Sequence, residues 1–206
     1  MIVVVDYNAG NLRSIVKALE IYAGREHVKI SRDPEEILSG DKIVFPGVGN
    51  FKSAVVNLSR RYGGISLREA LLESIENKVP FLGICLGMHL LMESSEEGGD
   101  LEGLGVVEGR VIRFRGVDKV PHMGWNKVEL LRDTPLFEGI GNSQYFYFVH
   151  SYHVKPLDDS VVVGVSEYGY RFPCVIQRDN IYGTQFHPEK SSKIGLKLIE
   201  NFLELI

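Results

Sequence analysis

Short apolar runs alternate with amphipathic stretches through the first half of the chain. The run Ile2 to Val5 is wholly apolar, and Asn11 to Ala23 carries apolar residues at helical spacing, which predicts a buried strand followed by a helix. The order repeats with a strand at Val28 to Ser31, a short helix that starts near Asp33, and a strand at Lys42 to Phe45. This alternation predicts an α/β fold, with a mostly parallel central sheet flanked by helices.

After two further predicted helices, at Phe51 to Arg61 and Leu67 to Asn77, the second half has a different pattern. An acidic and then glycine-rich stretch, Glu93 to Gly99, predicts a loop. Short strands separated by turn residues are then predicted at Val106-Val107, Val111 to Phe114, Lys127 to Leu130, Tyr145 to Val149 and Val161 to Val165. A hairpin around Asp179-Asn180 and a helix from Ser192 end the chain. We therefore expect an additional β-rich portion beside the parallel sheet.

The stretch Val79 to Leu91 joins an apolar run, a cysteine between two glycines, and helical spacing. This order predicts a strand, a tight turn and a helix, with Cys85 at the turn. Gly83 and Gly87 would allow the sharp turn and the close approach of strand and helix. Amides at the start of the helix would favour a thiolate there. The alternative is a buried structural cysteine, which is the more common state of an isolated cysteine in an apolar run.

A thiol nucleophile needs a base and a group that orients the base. Near the end of the chain, a short predicted strand runs into His187, Pro188 and Glu189. If the backbone is extended, residues i and i+2 point the same way, so Glu189 can reach the imidazole. Alone, this triplet is most often a surface turn. Together with the cysteine turn, it predicts a Cys-His-Glu triad.

Composition narrows the class of protein. The 206 residues, 44% of them hydrophobic, suffice for one domain spanning 1–206. The formal charge of −4 contains no long basic run, which argues against a nucleic-acid surface. Two cysteines 89 positions apart suggest neither a disulfide framework nor a metal site. With no signal peptide or membrane span evident, we expect a soluble cytoplasmic protein without a metal, cofactor or membrane partner.

Several segments together resemble a known family. Gly83-Ile84-Cys85-Leu86-Gly87, followed about a hundred residues later by His187-Pro188-Glu189, resembles the class I, triad-type glutamine amidotransferases. Four more segments resemble the branch that forms the glutaminase subunits of imidazole glycerol phosphate synthase: Asp6 to Leu12, Pro46 to Gly49, Val120 to Asn126 and Phe148 to Tyr152. The resemblance implies hydrolysis of glutamine to glutamate and ammonia. The ammonia would pass to a (β/α)₈ cyclase partner in a heterodimer that serves histidine biosynthesis.

The resemblance also assigns roles to residues. It implies that Cys85, His187 and Glu189 are catalytic. It implies an oxyanion hole made by Gly47, Val48 and Leu86. The implied substrate-binding residues are Gly49, His89, Glu97, His150, Ser151 and Tyr152. The implied partner interface contains Asn11, Met123, Trp125, Tyr147 and Lys190. Two positions depart from the family pattern, since Asn8 replaces a usual glycine and His89 a usual glutamine.

Three other functions fit part of the pattern. A stand-alone cysteine hydrolase or peptidase would act on other amides without a partner. A glutaminase for pyridoxal phosphate or anthranilate synthesis would share the triad but not the segment Pro121 to Asn126. A non-enzymatic interaction subunit would be expected to lack one of the three catalytic side chains, and all three are present.

Overall fold

The computed structural model describes residues 1–8, 12–62 and 64–206. Its strands are β1 (Ile2–Val5), β2 (Val28–Ser31), β3 (Lys42–Gly47), β4 (Arg61–Tyr62), β5 (Ile65–Ser66), β6 (Phe81–Cys85), β7 (Met92–Ser95), β8 (Leu101–Glu102), β9 (Val107–Arg113), β10 (His122–Leu130), β11 (Gln144–His150), β12 (Tyr152–Pro156), β13 (Val162–Tyr168), β14 (Tyr170–Arg178) and β15 (Ile181–Thr184). Its α-helices are α1 (Arg13–Ala23), α2 (Pro34–Leu38), α3 (Phe51–Leu58), α4 (Leu67–Glu76), α5 (Leu86–Leu90) and α6 (Ser192–Glu204). Short 3₁₀ helices occur at Arg25–His27, Pro135–Phe137, Asp159–Val161 and Pro188–Lys190.

One large sheet organises the described residues. Its nine strands follow the order β11-β10-β13-β14-β15-β6-β3-β1-β2. Pairing is parallel from β15 through β6, β3 and β1 to β2, and antiparallel from β15 to β11. A second sheet of four strands has the order β12-β9-β7-β8. The predicted α/β fold with an added β-rich portion is thus confirmed. In the nine-stranded sheet the parallel pairing is confined to the part from β15 to β2, and in the second sheet β7 and β9 also pair in parallel.

The parallel strands β1, β3, β6 and β15 are buried on both faces because successive side chains enter different cores, whereas the edge strand β2 is partly exposed. Val3 and Val5 of β1 pack in one core, while Ile2 and Val4 pack in the other. Helices α3 and α4 contribute to the first core, and α1 and α6 contribute to the second. This packing fixes the carboxyl ends of β3 and β6 side by side, with Gly47 opposite Cys85. Open α/β sheets bind ligands at such ends.

Several predicted elements were wrong in detail. The separate strands predicted at Val106-Val107 and Val111 to Phe114 form one strand, β9. The helix predicted to reach Arg61 ends at Leu58, and Arg61–Tyr62 forms β4. The loop predicted at Glu93 to Gly99 begins inside β7, because Met92 and Ser95 are buried in the second sheet although the acidic residue between them is exposed. The predicted helix start at Asn11 lies outside the described residues.

Within the described ranges, none of the helices is both long and apolar enough to cross a lipid bilayer.

Candidate active site

Cys85 lies at a strained turn between β6 and α5. Its φ of 52° and ψ of −105° are unusual for a residue with a side chain, and such strain is concentrated at functional sites. A Cβ added to Gly87 would lie 1.7 Å from the carbonyl oxygen of Phe45, and one added to Gly83 would lie 3.0 Å from the Gly87 backbone. The close approach predicted from the two glycines is therefore present, and it holds the thiol at the carboxyl end of the strand.

The side chains of His187 and Glu189 are joined beside this turn. Nδ1 of His187 is 2.9 Å from Oε1 of Glu189, and both side chains are almost fully buried. The contact does not depend on the extended backbone predicted for it, because Pro188–Lys190 is a turn of 3₁₀ helix. Proline suits the first position of such a turn, since it has no N–H to lose. The turn brings the carboxylate back onto the imidazole.

The charge environment of His187 favours an imidazolium. Burial lowers the pKa of His187, but the neighbouring Cys85 sulfur and the Glu189 carboxylate outweigh burial and raise that pKa to about 10. Nε2 of His187 is buried and makes no hydrogen bond of ordinary geometry with a described residue. Because Glu189 engages Nδ1, Nε2 is the nitrogen left to exchange a proton with the thiol.

The end of β3 lies against Cys85. A Cβ added to Gly47 would lie 1.9 Å from the hydroxyl oxygen of Tyr7 and 3.1 Å from Cβ of Leu86, so only glycine fits there. The Tyr7 hydroxyl is buried without a hydrogen-bond partner in the described part of the chain. Burial raises the pKa of Tyr7, and the Cys85 charge raises it further, so this hydroxyl keeps its proton. Gly49 has a φ of +121°, a backbone conformation that favours glycine.

A cavity of about 310 Å³ opens above Cys85. It is lined by Val48, Gly49, Cys85, Leu86, His89, Glu97, Pro121, Val149, His150, Ser151 and Tyr152. The structure thus brings all six sequence-predicted substrate residues to one cavity, together with two of the three predicted oxyanion residues. Gly47 lies behind the cavity wall, against Tyr7.

Glu97 reaches the cavity from the loop after β7. Its Oε2 accepts a hydrogen bond from the backbone N–H of Phe51, at 3.1 Å, in the first turn of α3. Burial raises the pKa of Glu97, and the hydrogen bond from Phe51 opposes that rise. A carboxylate held at a helix N-terminus, with a second oxygen free to accept, suits a cationic group of a ligand.

His150 is held by a chain of hydrogen bonds behind the cavity. Its Nδ1 donates to the carbonyl of Tyr152 at 2.8 Å, so Nε2 must accept from Nδ1 of His122, which is 2.9 Å away. Nε2 of His122 in turn accepts from the amide of Asn126 at 3.1 Å. Burial lowers the pKa of His150, and lowers the pKa of His122 to about 4. Both rings are therefore neutral near pH 7, with all four nitrogens engaged.

Gln185 contacts Cys85, although the sequence patterns did not single it out. Its fully buried amide donates from Nε2 to Sγ of Cys85 at 3.7 Å, and its Oε1 is 2.8 Å from Nε2 of His89. A signal was available, because Gln185 precedes His187 by two residues, and side chains so spaced on an extended segment face the same side.

An exposed apolar surface borders the cavity on β10 and β11. Met123 and Trp125 are 62% and 54% exposed. Trp125 is paired with Tyr147 across the two strands, with an edge-to-face ring contact at 6.2 Å. Lys190 is also exposed, at the end of the 3₁₀ turn that carries Glu189. The fifth predicted interface residue, Asn11, lies outside the described residues.

Comparisons with known proteins place this geometry in a family. Residues 3–205 match the family model described as Glutamine amidotransferase class-I. The chain is 58% identical over 206 residues, the whole of both proteins, to "Imidazole glycerol phosphate synthase subunit HisH 1" of Methanococcus maripaludis. It is 57% identical, again over the whole of both, to "Imidazole glycerol phosphate synthase subunit HisH" of Methanocaldococcus jannaschii. A solved structure titled "Crystal structure of glutamine amidotransferase" is 22% identical, has a TM-score of 0.74, and is matched over 98% of this chain and 97% of that one.

Proposed function

Because the chain belongs to the class-I glutamine amidotransferase family, we propose that it is the glutaminase subunit of an imidazole glycerol phosphate synthase, with residues 1–206 forming one amidotransferase domain. It hydrolyses glutamine to glutamate and ammonia, and the ammonia is used in histidine biosynthesis. The observation that carries the proposal is the Cys85 thiol at the base of a cavity, beside an imidazole that Glu189 orients through a 2.9 Å contact.

The chemistry follows from the positions of the three side chains. His187 takes the thiol proton, and the Cys85 thiolate attacks the side-chain amide carbon of glutamine. The imidazolium then returns the proton to the leaving nitrogen, so that the C–N bond breaks and ammonia departs. Water, activated by the same imidazole, hydrolyses the glutamyl thioester and releases glutamate. Glu189 keeps the imidazole in the required tautomer throughout and stabilises its charged form.

The negative oxygen of the tetrahedral intermediate needs donors close to Cys85. The amide of Leu86, at the start of α5, and an amide of the Gly47-Val48 segment are the proposed donors. Their proximity to the thiol follows from the pairing of Gly47 with Cys85 across β3 and β6. The tight contact of Gly47 with Tyr7 supports the assignment, because it fixes where this segment runs.

The cavity wall offers groups for the two charged ends of glutamine. Glu97 is the proposed acceptor for the α-ammonium group, since its carboxylate lines the cavity with one oxygen free of the Phe51 amide. Ser151 and Tyr152 line the same wall, and their hydroxyl and backbone groups are the proposed donors to the α-carboxylate. The nitrogens of His150 are engaged elsewhere, so its proposed role is to shape the wall beside the substrate. Gly49 and His89 complete the pocket.

The partner in this proposal is a (β/α)₈ cyclase that uses the ammonia and its own nucleotide substrate to make imidazole glycerol phosphate and aminoimidazole carboxamide ribotide. It docks on the surface formed by Met123, Trp125, Tyr147 and Lys190, with Asn11 as a further contact. The exposed aromatic pair supports the assignment, because buried aromatic anchors dominate the energetics of protein interfaces. Lys190 offers a charge to an acidic partner residue without engaging Glu189.

Replacing Trp125 with alanine tests the docking surface and the coupling of the two reactions. We expect the variant to bind the cyclase subunit more weakly by about 2 kcal/mol or more, the cost of losing an interface hot spot. When the concentration of the cyclase subunit is limiting, the rate of glutamine-dependent synthesis should fall together with the binding affinity. Leu131→Ala is the matched control, because Leu131 is 53% exposed but lies just beyond the far end of β10. Titration calorimetry of both variants would reject this surface if Trp125→Ala bound as tightly as Leu131→Ala.

A further inference from the structure

The amide of Gln185 connects the nucleophile to a second residue of α5. Nε2 of Gln185 donates to Sγ of Cys85 at 3.7 Å, while Oε1 faces Nε2 of His89 at 2.8 Å. An amide oxygen only accepts hydrogen bonds, so Nε2 of His89 must be the donor in this contact. Both hydrogen bonds therefore run in the same sense and end at sulfur. A row of donors that ends at an atom stabilises negative charge on that atom.

We propose that Gln185 stabilises the Cys85 thiolate by direct hydrogen bonding, and that His89 is a positioning residue that holds the Gln185 amide in the donating orientation. The inference rests on the proposed function, since it assigns these residues to the attack of Cys85 on glutamine. It also concerns a contact that exists before any substrate enters the cavity.

His89 suits this role because of its place and its protonation. It follows Cys85 by four residues, so one helical turn brings it to the same face of α5. Burial lowers the pKa of His89 to about 4, although the contact with Gln185 acts in the opposite direction. Near pH 7 the ring is therefore neutral, with a single N–H, and that proton is directed at Oε1 of Gln185.

The orientation of the amide decides whether Gln185 helps or opposes the thiolate. A reversed amide would place Oε1 against sulfur, and two electron-rich atoms would repel each other. The reversed amide would also face the His89 Nε2–H with an NH₂ group, and His89 could accept from that group only by moving its proton to Nδ1. His89 with its proton on Nε2 therefore favours the donating orientation of the amide.

Other ionisable groups act on the same atoms and remain unchanged in the test. His187, on the segment after β15, and Tyr7, two residues after β1, both interact with the Cys85 charge. His89 itself faces His150 and His153, and burial lowers the pKa of each. None of these four groups is altered in the variants below.

The first test measures alkylation of Cys85 by iodoacetamide as a function of pH, on the full chain in a Cys174→Ala background. Gln185→Met removes the donor at similar volume. We expect the midpoint of the alkylation profile to move up by about one pH unit, which lowers the rate below the midpoint about tenfold. An unchanged midpoint in a variant that melts cooperatively would overturn the role of Gln185.

The second test separates positioning from packing at His89. His89→Gln retains a side-chain N–H that can donate to Gln185, whereas His89→Leu does not. We expect His89→Gln to keep the wild-type midpoint and His89→Leu to move it upward. Equal midpoints for the two variants would contradict the positioning role. This pair also decides the proposal if Gln185→Met fails to fold.

Alkylation requires neither glutamine nor the cyclase, so the inference and the proposed function can fail separately. If the alkylation midpoints shift but the chain never hydrolyses glutamine, the roles of Gln185 and His89 stand and the proposed glutaminase function is rejected. If the chain hydrolyses glutamine normally but no variant shifts the midpoint, the proposed function stands and the roles of Gln185 and His89 are rejected. In steady-state assays, His89→Gln should change the KM for glutamine severalfold at most, with little effect on kcat.

Discussion

Replacing Cys85 with alanine should abolish synthesis from glutamine by the reconstituted complex, while synthesis from added ammonium salts continues. Loss of the nucleophile from a triad lowers kcat by about 10⁴–10⁶-fold, because the other members cannot form the covalent intermediate. Ammonia supplied from solution bypasses that intermediate. Comparing synthesis from the two nitrogen sources therefore distinguishes loss of glutamine hydrolysis from failure of the two subunits to form a working complex.

Cys174→Ala is the matched control for this experiment. Cys174 is the second of the two cysteines and is fully buried in β14, and burial raises the pKa of its thiol well above the usual value. We expect Cys174→Ala to keep glutamine-dependent synthesis. Glutamine-dependent turnover that survives in Cys85→Ala, or that disappears only in Cys174→Ala, would remove Cys85 from the mechanism.

Docking on the cyclase should raise the rate of glutamine hydrolysis by about 10²–10³-fold, which is the factor in kcat usually lost when one oxyanion-hole donor is removed. Free ammonia is wasted without a synthase to consume it, so a gate on this step is useful. The segment after β3 can provide the gate, because Val48 is exposed and lies between Gly47 and Gly49. Rotation of one peptide there would turn its N–H toward the oxyanion or away from it.

Tyr7 provides a variant that is specific to this gate. Its hydroxyl is buried against Gly47 and lacks a partner among the residues that the structure describes, and leaving such a group unpaired costs about 1–3 kcal/mol. A rotated peptide would present a carbonyl that this hydroxyl can bond. We therefore expect Tyr7→Phe to reduce the stimulated rate more than the rate of the chain alone.

The gate is measured as glutamate release from the chain alone, from the chain with the cyclase, and from the chain with the cyclase and a substrate analogue. The expected order is a low rate, a higher rate, and the highest rate in the presence of the analogue. Equal rates under all three conditions would rule out the gate and leave the triad unaffected.

The sequence predicted the elements around the site well because their signals are local. The apolar run before Cys85 and the glycines at its flanks report directly on a strand, a turn and a close contact, and the structure contains all three. The cysteine at this turn and the histidine-proline-glutamate triplet also predicted that the three side chains form one triad. Both signals come from residues adjacent in the chain.

Contacts between distant segments were harder to predict. The contact between Gln185 and His89 joins two residues 96 positions apart, and the sequence around neither residue indicates a contact with the other. β7 was predicted as a loop because an exposed acidic residue hides the burial of Met92 and Ser95. The Tyr7 hydroxyl meets Gly47 only because β1 and β3 pair in one register. Such features depend on tertiary packing.

The most direct test of the proposed function follows the amide nitrogen itself. The chain and the cyclase subunit are mixed with the cyclase's nucleotide substrate and with glutamine labelled with ¹⁵N at the side-chain amide, in excess unlabelled ammonium at a pH low enough to keep it protonated. We predict that the imidazole glycerol phosphate formed carries the label at one ring nitrogen, and that the label disappears with Cys85→Ala. Unlabelled product from the wild-type complex, with glutamine left intact, would contradict the proposed function.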